Sequence, residues 1–413
     1  MSADLCPSPI FDNLDYLSDP FSLTAEQINP QWPRVQQQDY FYSLRYLQSY
    51  KGSSATFNSY RRELERLLQW LWHIQVSDLT QIRREHIELY MEFCLAPPVT
   101  WVGYKNVARF KNSQGLRIPN PDWRPFVVPT NKASNVQAKA NSHRLSQKAI
   151  QSTFAILSSF FNFLIQEEFL HANPVALVRQ RSRFIQRSQN QDPVRRISNY
   201  QWDEVIRIVR DLAELEPARH ERTLFILNCL FGMYLRISEL VADERSTPVM
   251  GDFRVDSDRN WWFHVVGKGN KSRVISVSLD MLSALKRYRL WLGLPELPYP
   301  AEQTPLICKI HGAGPVTSTR QIRNLVQECF DMAYNSLAEL GQASEAIELK
   351  AATVHWLRHT GISEDVKHRP REHVKEDAGH SSMATTDKYI DSELRERHAS
   401  ALHKKINRSA EDA

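Results

Sequence analysis

The stretch His355–Tyr389, HWLRHTGISEDVKHRPREHVKEDAGHSSMATTDKY, decides how the rest of the chain is read. Side chains three apart share a helix face, so His355 and Arg358 can point at one spot. Further on, Gly379 and His380 mark a turn into a second short helix that leads to Tyr389. Two histidines, an arginine and a tyrosine can therefore converge. Such a set suits attack of a phenol on a phosphate, because cationic and hydrogen-bonding groups hold the developing charge while the tyrosine supplies the oxygen. That chemistry needs a further arginine and a proton donor from elsewhere in the chain.

A zinc reading of the same helix fails. His355 and His359 are four apart, but a zinc-protease helix carries glutamate directly after its first histidine, and Trp356 stands there. Taken singly, His380 reads as a helix cap and Tyr389 as an amphipathic surface residue. Only their joint order and spacing make them a set.

Arg236 lies in LRISEL, where the apolar helix ERTLFILNCLFGMYL ends, three residues before Glu239. In isolation this is an Arg–Glu pair on a helix surface. Next, the strand-like pieces NWWFHVV and SRVISVS flank GKGN, as a hairpin requires, and place Lys268 at its turn. Lys271 is a rival for the same position because sequence does not fix the register. Helices are predicted for SNYQWDEVIRIVRDL, with Ser198 or Asn199 as N-cap, for LDMLSALKRYRLWLG and for TSTRQIRNLVQECFDMAYNSLAEL.

Upstream, SATFNSYRRELERLLQWLWHIQ, REHIELYMEFCL and LSQKAIQSTFAILSSFFNFLIQEEFL have helical spacing and predict an all-helical first domain. An insert at 97–144 separates the second from the third. Between Trp101 and Arg144 it sets Lys105, Arg109, Lys111, Arg117, Arg124, Lys132, Lys139 and Arg144 against the single acid Asp122. Both a solubilising loop and a phosphate-tracking arm fit that composition. After the third helix, Arg179, Arg181, Arg183, Arg187, Arg195 and Arg196 face only Asp192, in a segment without hydrophobic period that reads as a basic interdomain linker. The expected layout is an irregular, loosely docked extension at 1–38, a helical domain at 39–178, the linker at 179–196, a second domain at 197–395 and a tail at 396–413.

The chain has 413 residues, 42% of them hydrophobic, which suits two domains rather than one small core. A net charge of +5 is too small to name nucleic acid as a partner by itself. No run of eighteen apolar residues occurs, and the start MSADLCPSPIFDNLD lacks the basic and apolar regions of a signal peptide, so no membrane association and a cytoplasmic location are expected. Five scattered cysteines without a C-x-x-C pair predict free thiols and no cysteine metal site.

Taken in order, Arg236 in LRISEL, Lys268 in GKGNKSR, His355 and Arg358 in HWLRHT, His380 in GHSSMATT and Tyr389 closely resemble the tyrosine recombinase (phage integrase) family, over roughly 40–395. The resemblance implies a mainly α fold with a small β-sheet: a helical core-binding domain plus an α/β catalytic domain, forming a C-shaped clamp on duplex DNA. It implies that Tyr389 attacks a scissile phosphodiester to give a 3′-phosphotyrosine and a 5′-hydroxyl. Arg236 and Arg358 would hold the non-bridging oxygens, and His380 would add a hydrogen bond. His355 would assist proton transfer near the tyrosine, Lys268 would protonate the departing 5′-oxygen, and Glu239 would be a buried orienting partner. No cofactor, metal or ATP is expected, since the phosphotyrosine conserves the bond energy and no Walker loop occurs in the chain.

The implied partners are duplex recombination sites, bound through Lys105, Arg109, Lys111, Arg179, Arg181, Arg183 and Arg187. A homotetramer would form on two synapsed sites, passing through a Holliday junction, from a monomer in solution. A sister recombinase or an accessory directionality factor is a further expected partner, and the tail after Tyr389 is expected to dock on a neighbouring subunit. The expected role is recombination for a mobile element at the nucleoid. The alternatives are a type IB topoisomerase-like activity and a catalytically decayed architectural DNA-binding protein. Three features depart from the family pattern. Ala378 stands where leucine is usual, SEDVKHRPREHVKEDA is far more charged than the usual apolar helix, leaving only Val366, Val374 and Ala378 as its apolar face, and Pro370 interrupts it.

Overall fold

The computed structural model describes residues 6–17, 33–128, 143–180, 183–185, 195–267, 271–389 and 401–402. The chain divides into two compact units, Met1–Asn190 and Gln191–Ala413.

The first unit is built on α1 (Arg34–Gln48), α2 (Ser54–Trp70), α3 (Arg84–Leu95) and α4 (Gln147–Gln166), followed by the short α5 (Val175–Gln180). The helical spacing read from the sequence becomes the core: Leu64, Leu67 and Leu68 of α2 meet Ile87, Tyr90 and Met91 of α3 and Phe154, Leu157, Phe160 and Phe161 of α4. Each such burial contributes about 1.5–3 kcal/mol, which holds the helices at fixed faces. By length and composition α4 is apolar enough to cross a membrane. Its apolar side chains instead supply this core.

The described part of the insert up to residue 128 is not the loop its Pro and Gly content suggests. β1 (Val102–Gly103) pairs in parallel with β4 (Phe126–Val127), and β2 (Phe110–Ser113) pairs antiparallel with β3 (Leu116–Pro119). Nor is residue segment 6–17 loosely docked. Phe11 is fully buried and stacks on Tyr40 with ring centroids 4.9 Å apart. The backbone N–H groups of Ile10 and Phe11 donate to Glu65 of α2 at 2.7 and 3.2 Å.

In the second unit, α6 (Asn199–Leu215) and α7 (Pro217–Gly232) precede a three-stranded antiparallel sheet, β5 (Phe253–Val255), β6 (Trp261–Val266) and β7 (Ser272–Ser276), ordered β5-β6-β7. Then come α8 (Leu279–Trp291), α9 (Thr319–Glu339), α10 (Ala343–Ala351), α11 (Val354–Asp365), α12 (Arg371–Ala378) and α13 (Met383–Asp387). Ser198 caps α6 as read from sequence: its Oγ accepts from Gln201 N at 3.2 Å. α11 crosses α7 at Gly361, where an added Cβ would lie 2.2 Å from the carbonyl oxygen of Phe231. Only glycine permits that approach, which sets the second half of α11 beside the end of α7.

Pro370 separates α11 from α12, as the sequence led one to expect. The charged stretch around it is held by paired polar groups instead of a broad apolar face. Arg369 donates to Asp365 at 2.9 Å and to Asp377 at 2.6 Å, Tyr234 donates to Asp365, and Asp377 accepts from Ser276 N at 3.2 Å. Beneath this network Val374 and Ala378 are fully buried with Tyr234, Ile362 and Tyr389.

Candidate active site

Just after α7 the chain turns sharply. Tyr234 has φ 50°, an uncommon left-handed conformation for a bulky residue, and its hydroxyl is tied to Asp365. The turn aims the Tyr234 carbonyl at Arg358 of α11, whose Nη1 donates to it. Arg358 Nη2 donates to the Ala378 carbonyl at 2.5 Å. Both acceptors are uncharged, so they orient the guanidinium fork without cancelling its charge. Burial lowers the Arg358 pKa to about 10, helped by Arg236 and Arg273, and the group stays cationic at neutral pH.

Two residues past Tyr234, Arg236 Nη1 donates to Glu239 Oε1 at 2.9 Å, and its backbone N–H donates to Oε2 at 2.8 Å. The same carboxylate takes a fork from Arg273 of β7, with both contacts at 2.8 Å. Burial pushes the Glu239 pKa up, but the bonds and charge of Arg273, with those of Arg236, outweigh it and leave the carboxyl below its usual value. Arg273 Nε also donates to the Asp377 carbonyl at 2.9 Å. At the end of α12, Gly379 has φ 65°, and a Cβ there would sit 2.7 Å from Arg273 Cδ. Glycine is required at this position by backbone conformation and by the arginine laid across it.

That turn delivers His380. Its Nδ1 lies 2.9 Å from Thr386 Oγ1, and its ring is nearly parallel to that of Tyr389, at 5.7 Å and 13°. Tyr389 is 8% exposed. Burial raises the pKa of its hydroxyl, while Arg358 and Arg236 pull it down. The hydroxyl lies 2.6 Å from Nδ1 of His359. Burial, with His355, Arg358 and His380 acting in the same direction, lowers the His359 pKa to about 3. For His380, burial and the arginines 358, 236 and 273 lower it to about 4.

The structure thus gathers Arg236, Glu239, Arg358, His380 and Tyr389 of one chain. His355 is exposed and meets the His359 ring edge-on at 4.2 Å. Lys268 lies outside the described residues; its rival Lys271 is exposed, and its carbonyl accepts from Gly267 N at 2.8 Å. Two members were not anticipated. His359 had been weighed only as a zinc ligand. Arg273 was passed over as a strand residue, although it shares a face with the fully buried Ile275, an alternation that marks a basic side chain turned inward.

Among the expected DNA contacts, Arg109 needs correction. It forms an ion pair with Glu65 and lies over the Trp123 ring at 4.9 Å, with 13% of its side chain exposed. A phosphate would have to displace that buried carboxylate. Arg117 is held likewise, by Asp12 at 2.9 and 2.6 Å. Lys105 and Arg179 are exposed, Lys111 is exposed with Asp122 at 3.0 Å, and Arg183 is paired with Glu92 on the surface. Arg181 and Arg187 lie outside the described residues.

Residues 42–101 match the phage integrase N-terminal SAM-like domain. The tyrosine recombinase XerC of Bacillus licheniformis is 26% identical over 303 residues, covering 70% of this chain and 84% of that protein. XerC of Chlorobaculum parvum is 24% identical over 262 residues, covering 59% of this chain and 69% of its own. In fold, the chain is similar to the XerH site-specific recombinase in a post-cleavage complex with palindromic difH substrate, with a TM-score of 0.55 at 13% identity over 96% of this chain and 100% of that one. It is also similar to a lambda integrase dimer bound to a COC′ core site, with a TM-score of 0.50 at 13% identity over 90% and 80%. In sequence and in fold the chain is thus similar to tyrosine recombinases.

Proposed function

We propose that this protein is a site-specific DNA recombinase that cuts and rejoins duplex DNA through a 3′-phosphotyrosine at Tyr389. The observation that carries the reading is the assembly within one chain of a buried phenol, 2.6 Å from an imidazole nitrogen, and two guanidiniums that act on it electrostatically. Arg358 is held by neutral carbonyls and Arg236 by one shared carboxylate, so positive charge remains for the two non-bridging phosphate oxygens. His380 adds a hydrogen bond to the phosphate from its second ring nitrogen. Lys268, in the segment between the β6 and β7 partners Val266 and Ser272, protonates the 5′-oxygen as it leaves. The 5′-hydroxyl of a second duplex then attacks the phosphotyrosine, and strands are exchanged through a Holliday junction.

Four subunits on two synapsed sites are the assembly in this reading, with the segment beyond Tyr389 docking on a neighbour and an accessory factor setting direction. The protein serves a mobile element and works on the nucleoid. Neither alternative is favoured: the similar curated proteins are recombinases, and Arg236, Arg358 and Tyr389 are all present, with Arg358 and Tyr389 each held by a hydrogen bond within the second unit. The test uses a plasmid with two copies of the DNA flanking the gene's own element. Recombinant circles are expected with wild type and none with Tyr389→Phe. Relaxed plasmid without recombinants would replace the reading with the topoisomerase.

A further inference from the structure

The family resemblance assigns proton transfer at the nucleophile to His355, whereas the atom found against the phenol belongs to His359. These residues lie one turn apart on α11, with rings 4.2 Å from each other. His359 is the inner one, covered by Tyr389, whose ring tilts against it at 5.3 Å, while His355 faces outward. We propose that His359 is a catalytic residue: its Nδ1 takes the proton from the Tyr389 hydroxyl during attack and returns it when the phosphotyrosine is resolved. This assignment rests on the reading of Tyr389 as nucleophile.

The step balances without another reactant. The Oη–H bond breaks as Nδ1–H forms, Oη bonds to phosphorus, and the phosphorus–O5′ bond breaks with its electron pair leaving on O5′. A donor on the leaving side protonates that oxygen. In the reverse direction, the imidazolium gives its proton back as Oη departs. Groups facing the pair are Arg358 and His355 from α11 itself, His380 from the turn after α12 and Arg236 from the turn after α7. Before DNA binds, burial and the Arg358 guanidinium keep the His359 ring neutral, which is the form that can accept a proton. A scissile phosphate between the arginines brings opposite charge to the same place, so the ring becomes a better base when substrate is seated.

The full chain is incubated with nicked suicide duplexes carrying the sequence it enriches from a random pool, and single-turnover adduct formation is followed from pH 6 to 9. His359→Ala is expected to slow cleavage by about 10²–10⁴-fold near pH 7. That deficit shrinks about tenfold per pH unit as solvent supplies the tyrosinate, and gel-shift affinity is unchanged. His359→Asn keeps a polar partner for the phenol but cannot take its proton, and shows the same deficit. Cleavage by His359→Asn within about threefold of wild type would reduce the contact to positioning and overturn the proposal. So would a deficit independent of pH, or one with this pH dependence in His355→Ala and absent from His359→Ala. A wild-type protein that forms no adduct at any pH would instead sink the nucleophile assignment beneath it.

Discussion

Arg109 and Arg358 begin alike and end differently. Each is a guanidinium carried inside its unit, and burial lowers the pKa to about 9 for the first and about 10 for the second. Around Arg109 the structure supplies an acid for each base: Glu65 for Arg109 and Asp12 for Arg117. Around Arg358 it does not. Among the described residues, Arg236 and Arg273 share Glu239, and Arg358 rests on two carbonyls. Arg109 and Arg117 of the insert are therefore neutralised against α2 and residues 6–17, whereas Arg358 is bonded to carbonyls and, among the described residues, to no carboxylate. Counting bases along a sequence cannot tell these situations apart; counting acids in space can.

The sharpest way to break the comparison is to delete both arginines in turn. Arg358→Ala should lower single-turnover cleavage by ~10³–10⁵-fold, the scale of losing a guanidinium at a phosphoryl transition state. Arg358→Lys should recover little, because an ammonium lacks the fork. A loss below tenfold would mean that the unbalanced charge is not used in catalysis. Arg109→Ala should instead cost about 3–5 kcal/mol in urea unfolding, since Glu65 is left buried without its partner. Cleavage by the folded fraction should not change. A stable Arg109→Ala variant with weakened DNA binding would return that residue to the DNA interface.

Smaller effects sharpen the same contrast. Lys105→Ala with Lys111→Ala removes exposed charge from the insert, and the log–log salt slope of DNA binding should flatten by roughly 2 if both lysines contact phosphate. An unchanged slope would make the insert a purely structural brace. The two units should also respond oppositely to mild acid. His359 and His380 have folded pKa values near 3 and 4 against an ordinary 6.5, so unfolding takes up protons as pH falls below about 6.5, and the second unit loses stability. Asp39 in the first unit is raised to about 7, chiefly by burial. Its folded form holds a proton that the unfolded form releases above about 3.8, so acidification across that window favours the first unit. Amide exchange at pH 7 and pH 5.5 should show protection falling in α11 and α12 but not in α1; equal losses in both would contradict it.

Periodic features were legible in the sequence because they are local. The faces of α2, α3 and α4, the β6–β7 hairpin, the break at Pro370 and the Gly379 turn follow from spacing and backbone chemistry within a few residues. The insert was not legible in the same way. What orders it is pairing at long range, Arg109 to Glu65 and Arg117 to Asp12, and no local pattern announces such partners. α10 was missed because its buried face is small, with Ala346 and Leu349 buried and Ile347 exposed. At the site, the order of motifs pointed to Arg236, Arg358, His380 and Tyr389, whereas the roles of His359 and Arg273 depend on which neighbour the fold brings to them.

The most direct measurement locates the covalent bond. Wild-type protein trapped on a nicked suicide duplex, trimmed with nuclease and cut with trypsin, should yield the peptide Tyr389–Arg395 carrying a nucleotide remnant on Tyr389. A remnant on any other residue, or an adduct that persists in Tyr389→Phe, would contradict the account.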